Sequence, residues 1–266
     1  MEQDELRLCY QPKLSIGTST VTEVEALLRW EHPQRGMVPP TDFIPFAEFT
    51  GYIKMVTHWV LRHAIEQCGR WMREGMPLAV SINISARDLM NRELPEHIAA
   101  LLAEHGVPAK QICLEITESG FMEDPAHAQL VLERLAQLGL RLSIDDYGTG
   151  YSSLSYIMKL PVNELKIDRS FISSMVGNTD LSTIVRSTID LGHNLGLKVV
   201  AEGVETAAGL ELLRQLGCDQ AQGFYLSRPL FADDLALWLR SSGFAPTAGS
   251  KGAGAGAGSD SAAAVA

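Results

Sequence analysis

The sequence predicts an α/β protein, a (β/α)8-type barrel in which an N-terminal hairpin supplies one antiparallel strand. Three observations carry that expectation. Short apolar runs of strand length alternate steadily with longer stretches of helical periodicity, which implies a mainly parallel sheet. The strand runs, such as KVVAEGV, show little polar alternation, as strands buried on both faces do. The number of units is close to eight, the count at which such a sheet closes on itself.

The elements follow in order. Leu6–Ile16 is strand-like, GTST at Gly17–Thr20 turns, and Val21–Trp30 returns, which makes the hairpin. A helical stretch opens near Thr41 and a longer one covers Ile53–Glu74. Strand Leu78–Ser85 precedes helix Leu94–Glu104, and strand Gln111–Glu118 precedes helix Ala126–Leu138. Strand Arg141–Asp146, a short helix at Ser152–Lys159 and strand Glu164–Asp168 come next. Helix Leu181–Leu195, strand Lys198–Gly203, helix Ala207–Leu216, strand Gln220–Ser227 and helix Ala232–Leu239 complete the pattern. Gly75, Gly106, Gly139, Gly196 and Gly217 each close an apolar-periodic run, where a left-handed cap suits glycine. Residues 1–243 read as one domain. The Ala/Gly/Ser-rich stretch 244–266 lacks the apolar residues for a core and reads as a flexible tail.

The chain has 266 residues, 46% hydrophobic and 20% charged, enough for one substantial core. Its net charge of −10 argues against a DNA or RNA polymer and against an anionic membrane surface as partner. A small phosphate-bearing ligand stays open, because local charge decides that. The four cysteines, Cys9, Cys68, Cys113 and Cys218, are scattered without a C-x-x-C pair, so a reducing compartment without a disulfide framework is expected. The histidines lack zinc-type spacing. No run reaches the ~18–20 apolar residues of a membrane span, and the first residues do not resemble a signal peptide. The expected location is cytoplasmic.

The chemistry is carried by a series of acids and one amide at strand ends: Glu25, Asn83, Glu115, Asp145, Asp146, Asp168 and Glu202. Ionised groups beside buried strands are costly unless paired or bound to a cation. Barrel enzymes build their sites at the C-terminal strand ends, so these groups converge. The donors are all oxygens, which selects Mg²⁺ or Mn²⁺ over zinc or copper. Two such ions ~3.5–4 Å apart are the arrangement that clamps the attacking and leaving oxygens of a phosphodiester. Lys166, two residues before Asp168, faces the same side. It reads either as a group that orients or helps deprotonate a water, or as a neutralising salt bridge. Glu118 and Glu205 fit a helix-cap or solvated-loop role almost as well as a functional one. Asp145–Asp146 followed by Gly-Thr-Gly is poor packing and good metal chemistry. Arg29 suits a phosphate fork or a nearby acid.

The segments YQPKL, EALLRWEHP, SINIS, LEITES, DDYGTGYSSLSYIMKLPVNELKID, VVAEGVET and GCDQAQGFYLSRPL occur together and cover roughly residues 6–240. In these the chain resembles the EAL family of cyclic di-GMP phosphodiesterase domains. The resemblance implies a TIM-like barrel with one antiparallel strand, two Mg²⁺ or Mn²⁺ ions, and hydrolysis of cyclic di-GMP to linear pGpG. It implies Glu25, Asn83, Glu115, Asp145, Asp146 and Glu202 as metal ligands, with Asp168 supporting the second metal or its water. Lys166 matches the lysine beside the attacking water, and Glu118 the glutamate that holds the DDYGTG loop in its working shape. Glu205 and Gln222 match positions near the substrate, and Gln11 and Arg29 match residues that touch the dinucleotide. Ca²⁺ is expected to bind without supporting turnover, a homodimer is expected, and the chain reads either as a stand-alone enzyme or as a segment of a longer regulator that carries a sensory or regulatory domain elsewhere. One departure stands at Tyr147, where the loop motif usually has phenylalanine; its hydroxyl needs a partner if buried.

Two other readings compete. A non-catalytic cyclic di-GMP receptor would have lost one or more of the acids, whereas every position is filled here. An enolase-like barrel also gathers acids around Mg²⁺ with a lysine base, but it does not require the adjacent Asp145–Asp146 pair, and the excess of ligands favours two ions.

Overall fold

The structure, a computed structural model, describes residues 5–118, 120, 124–149 and 154–245. The chain opens with β1 (Leu6–Ser15), β2 (Thr20–His32) and a short β3 (Gly36–Val38), followed by α1 (Pro40–Thr50) and α2 (Ile53–Arg73). Next come β4 (Ala79–Ile84), α3 (Ala86–Leu89), α4 (Leu94–His105), β5 (Ile112–Thr117) and α5 (Pro125–Gln137). Then follow β6 (Arg141–Tyr147), α6 (Leu154–Ile157), β7 (Glu164–Ile167), α7 (Arg169–Ile172) and α8 (Thr179–Asn194). The last elements are β8 (Lys198–Ala201), α9 (Ala207–Gln215), β9 (Gln220–Gln222) and α10 (Ala232–Ser242).

The strands run β1-β9-β8-β7-β6-β5-β4-β2, and pairing of β1 with β2 closes the barrel, with β3 outside it on the free edge of β2. β1 is antiparallel to both neighbours, and the remaining barrel strands pair in parallel. The eight-stranded barrel with one reversed strand is therefore as expected. The five glycines read as helix stops all have positive φ. α2 shows how the helical layer is held. Its buried residues recur three and four apart, as Ile53, Val56, Val60, Leu61, Ala64 and Ile65. Trp71 at its far end meets Tyr10 of β1 edge-on at 4.7 Å. Burying a side chain of the Leu or Ile class contributes about 1.5–3 kcal/mol, so this seam anchors the reversed strand.

The strands differ from expectation in one respect that matters for function. They were expected to be apolar on both faces, yet they alternate. In β4, Val80 and Ile82 face the helices, while Ser81 is buried on the other side. The same period of two places Gln11 and Lys13 of β1, Glu23 and Glu25 of β2, and Glu164 and Lys166 of β7 inside the barrel, all buried. A barrel interior is usually packed with branched apolar side chains. This one is packed with ions and amides.

Smaller differences have local causes. β3, α3 and α7 span three or four residues each, too short for periodicity to reveal. α3 is set by a capping box: Ser85 Oγ accepts from Asp88 N, and Asp88 accepts from Ser85 N. The expected strand Gln220–Ser227 stops at Gln222 because Gly223 turns the chain against Val204. Val204 N donates to Gln222 O at 3.0 Å, and Tyr225 N donates to Val204 O at 3.0 Å. Residues 152–153 of the expected helix Ser152–Lys159, Ser119, Gly150 and Tyr151 of the quoted motifs, and residues 246–266 of the expected tail lie outside the described residues. Phe244, assigned to that tail, accepts a hydrogen bond at its carbonyl from Val21 N at 2.8 Å. No helix among the described residues is long and apolar enough to cross a membrane. The four cysteines are free and buried.

A Cβ added at Gly223 would stand 2.1 Å from the Val204 carbonyl oxygen and 2.3 Å from its nitrogen, both backbone atoms that cannot swing aside. Gly223→Ala is therefore expected to lower unfolding stability by about 1–3 kcal/mol, the usual effect of overpacking. Urea denaturation would measure it, and an unchanged midpoint would show that the β8–β9 connection is looser than this packing implies.

Candidate active site and metal centre

The barrel's ionic interior is arranged along its axis. Lys13 of β1 is fully buried and donates to Glu115 Oε1 at 2.6 Å, Ser81 Oγ at 2.8 Å, Glu164 Oε1 at 3.3 Å and Glu23 Oε1 at 3.4 Å. Glu23 Oε2 accepts in turn from Arg141 Nη1 at 2.7 Å. Lys166 Nζ lies beyond Glu115, 2.6 Å from Glu115 Oε2, 2.6 Å from Glu202 Oε1, 3.1 Å from Asp145 Oδ1 and 3.8 Å from Glu25 Oε2. Glu115 thus stands with one oxygen on each ammonium.

Glu25 is the hub of the second set of contacts. Its Oε1 accepts from Asn83 Nδ2 at 2.7 Å and its Oε2 from Gln222 Nε2 at 2.7 Å. Gln222 also donates to Gln11 Oε1 at 3.0 Å, and Gln11 Nε2 donates to Ser227 O. Glu25 and Gln11 face each other in the β1–β2 register, so the reversed strand brings an amide to a rim otherwise lined by acids.

Asp145 and Asp146 could not share a face in a regular strand, where consecutive side chains point to opposite sides. The chain resolves this at Asp146, which has φ 55°, the left-handed region that aspartate tolerates better than most residues. The β6–β7 register breaks between Ile144 and Tyr147, and Asp146 N donates to Asp145 Oδ1 at 2.9 Å. As a result, one carboxylate oxygen from each of Asp145, Asp146 and Glu202 lies within 4.8 Å of the others. Glu118 braces this kink: its backbone N donates to Asp145 O at 3.1 Å and its Oε2 accepts from Gly148 N at 3.1 Å. Half-buried Tyr147 lies beside Glu118; burial, and then that carboxylate, raise its phenol pKa.

The charges inside the barrel do not balance. Six carboxylates (Glu23, Glu25, Glu115, Asp145, Glu164, Glu202) share three cations, Lys13, Lys166 and Arg141. Burial opposes ionisation of Glu115, but Lys13 and Lys166 outweigh it and hold its pKa at about 2. Burial likewise opposes ionisation of Glu23, and Lys13 with Arg141 brings it to about 2. Glu164, in the same layer, is instead raised, by burial first, and the carboxylates at the rim are raised as well. Burial pushes Glu202 up to about 8 against the pull of Lys166, with Asp145 and Glu25 adding to the rise. Glu25 and Asp145 are also raised, by burial first and by neighbouring acids after it. The excess negative charge sits at the rim, where a cation would relieve it.

Three sequence-expected residues, Asp168, Arg29 and Glu205, lie apart from this cluster. Asp168 caps α7, accepting from Ser170 N at 3.0 Å, and its charge is felt at Asp146, whose pKa burial and Asp168 raise. Arg29 donates to Leu28 O at 2.8 Å and lines the wall of the cleft above the acids. Glu205 is exposed at the same wall. Gln11 reaches the cleft from the reversed strand. The cleft has a volume of about 300 Å³, and its outer wall adds Arg169, Phe224 and Pro229. Sequence reading missed Arg169, and it missed the lower layer of Lys13, Glu23, Ser81, Glu164 and Arg141. A signal for that layer was present. Glu23, Ser81, Cys113, Ser143, Glu164 and Gln220 each stand two residues before a residue of the site.

The EAL domain family model matches residues 1–229. The chain belongs to the EAL domain family. It is 43% identical over 88% of its length to the bifunctional diguanylate cyclase/cyclic di-GMP phosphodiesterase MucR of Pseudomonas aeruginosa, covering 34% of that protein. It is 38% identical over 90% of its length to the cyclic di-GMP phosphodiesterase PA2567 of the same organism, covering 40% of it. This EAL domain thus spans about a third of the length of such curated relatives. Among solved structures it is similar to the PaMucR phosphodiesterase in complex with c-di-GMP (TM-score 0.84, 43% identity, 88% of this chain and 95% of that one). It is also similar to the EAL enzyme Bd1971 in its cAMP- and cyclic-di-GMP-bound form (TM-score 0.84, 32% identity, 88% and 64%).

The donor set of this EAL domain fits hard divalent cations. Asp145, Asp146, Glu202 and Glu25 offer only oxygens, they converge, and they carry more negative charge than Lys166 neutralises. The same excess fixes a pH response. Glu202 has its folded-state pKa near 8, above the ordinary 4.5, so between these values the native state holds a proton that the unfolded chain has lost. Without metal, stability is therefore expected to fall as pH rises from about 4.5 to 8. Glu23 and Glu115 act in the opposite sense, and their contribution is lost as pH falls from 4.5 towards 2. Mg²⁺ or Mn²⁺ should flatten the alkaline limb and raise the melting temperature. Melting curves from pH 5 to 9, with and without metal, read this directly; an alkaline limb that metal leaves unchanged would argue against cation binding at the rim.

Proposed function

We propose that this chain is a divalent-metal-dependent phosphodiesterase that hydrolyses cyclic di-GMP to linear 5′-pGpG by a two-metal mechanism. The observation that supports it most is the convergence of Glu25, Glu115, Asp145 and Glu202 on the Lys166 ammonium at the floor of a cleft whose wall carries Arg29 and Arg169. In this reading Glu25, Asn83, Glu115, Asp145, Asp146 and Glu202 hold two Mg²⁺ or Mn²⁺ ions, with Asp168 supporting the second through its charge on Asp146. When bound, the ions supply activation of water and neutralisation of charge on the phosphate.

The chain's own groups do the rest. Burial opposes the charge on Lys166, but its carboxylate partners keep it well above the ordinary lysine pKa. It therefore acts as a donor that fixes the orientation of the attacking water. The water oxygen bonds to phosphorus, the P–O3′ bond breaks, and one water proton ends on the leaving 3′ oxygen, giving a 5′-phosphate and a free 3′ hydroxyl. Glu118 holds the Gly148 amide and so keeps Asp145 and Asp146 on one face. Gln11, Arg29 and Gln222 position the dinucleotide, Gln11 and Gln222 by amide hydrogen bonds and Arg29 by its charge, with Glu205 at the rim near the substrate. Ca²⁺ fills the site without turnover. The family resemblance supports a homodimer, the buried free thiols suit a reducing cytoplasm, and the greater length of the relatives supports a sensory or regulatory domain in the parent protein.

Incubation with cyclic di-GMP and Mg²⁺ or Mn²⁺, followed by chromatography, is expected to yield pGpG from the wild type and none from Glu25→Ala. Substrate binding without product in the wild type would make the chain a receptor instead, and wild-type turnover in Glu25→Ala would remove the metal assignment. Lys166→Ala is expected to lower kcat by roughly 10²-fold, the order of loss when a reacting group is misplaced, with cyclic di-GMP affinity retained in calorimetry. A kcat within twofold of wild type would leave Lys166 a salt bridge only.

A further inference from the structure

Lys13 lies outside the cleft, below the acids, yet it touches one of them directly. Its ammonium is fully buried and surrounded by Glu115, Ser81, Glu164 and Glu23, with the shortest contact, 2.6 Å, to Glu115 Oε1. The opposite oxygen of the same carboxylate is 2.6 Å from Lys166. A carboxylate gripped at both oxygens cannot rotate about its terminal torsion, which is otherwise broad. Glu115 also lies at the centre of β5, fully buried, so its carboxylate has no water to replace a lost partner. Charge-assisted hydrogen bonds of this length are among the strongest a protein makes.

We propose that Lys13 is a positioning residue of the active site: by fixing Glu115 Oε1 from below, it leaves Oε2 as the single oxygen offered to the rim and to Lys166. The proposal rests on the metal-dependent reading of the site. The reversed strand β1 is what makes it possible. Lys13 and Gln11 are two residues apart on β1 and both face inward, so one strand supplies a prop beneath Glu115 and an amide beside Glu25. Arg141 and Glu23 continue the column below, and Glu23 pairs with Lys13 across β1 and β2. The prop is thereby held at its own base.

The test is Lys13→Met, which keeps the length of the side chain and removes the ammonium. Mn²⁺ binding, read from the free-ion EPR signal, is expected to weaken at least tenfold. The kcat for cyclic di-GMP is expected to fall at least tenfold with KM unchanged within about threefold. Lys13→Met leaves Glu23, Glu115 and Glu164 short of a cation, which destabilises the barrel, so Lys13→Met/Glu164→Gln, which removes one charge of each sign, is measured beside it. Recovery of melting temperature in the double variant without recovery of Mn²⁺ affinity or kcat supports positioning. Recovery of all three would make Lys13 a charge-balancing group and overturn the proposal, as would wild-type Mn²⁺ affinity in either variant. If neither variant folds, Ser81→Ala, which removes one anchor of Lys13 and no charge, is expected to lower kcat several-fold at constant KM; an unchanged kcat overturns the proposal. Glu115→Gln separates the two readings: unaltered Mn²⁺ binding there would overturn the role of Glu115 in the metal site, and with it the ground for any prop.

Discussion

The rest of the structure depends on keeping charge inside a closed barrel. A carboxylate moved from water to a low-dielectric interior loses several kcal/mol of solvation even after relaxation. Six of them are tolerated here because Lys13, Lys166 and Arg141 are threaded between them, each ammonium or guanidinium serving more than one acid or one acid from a fixed side. Glu115 is where the arrangement is tightest. It joins a lower set of charges, nearly balanced, to an upper set that is not.

That asymmetry separates scaffold from site. Below Glu115, Lys13 and Arg141 hold Glu23 ionised, so this layer carries nearly as much positive as negative charge. Above it, Glu25, Asp145 and Glu202 share Lys166 and remain under-neutralised, which is the electrostatic condition for taking up cations. The kink at Asp146 adds a carboxylate to the same side at the expense of a strained backbone. Such strain persists only where the surroundings enforce it, and here the enforcing group is Glu118, bonded to both sides of the kink.

Much of this was legible from residue order. The alternation of apolar runs with helical stretches is a direct record of which segments are buried as strands, so the eight-stranded barrel and its reversed first strand could be read. The acids at strand ends could be read for the same reason, since Glu25, Glu115, Asp145 and Glu202 close apolar runs where an unpaired charge has no structural use. Less legible was the lower layer. Lys13 and Glu23 sit inside strands whose sequence reads as apolar on both faces, and only closure of the barrel turns a polar side of each strand inward.

The sequence by itself determined the fold class, the strand ends and the oxygen-only character of the donors, because these follow from local periodicity and side-chain chemistry. Tertiary structure alone decided which donors meet. Asp168 turned to cap a helix, Glu205 stayed at the mouth, and Lys13, distant from Glu115 in the chain, came within 2.6 Å of it. The physical reason is that a partner across a barrel is chosen by strand register and closure, and these are properties of the assembled sheet that no single segment encodes.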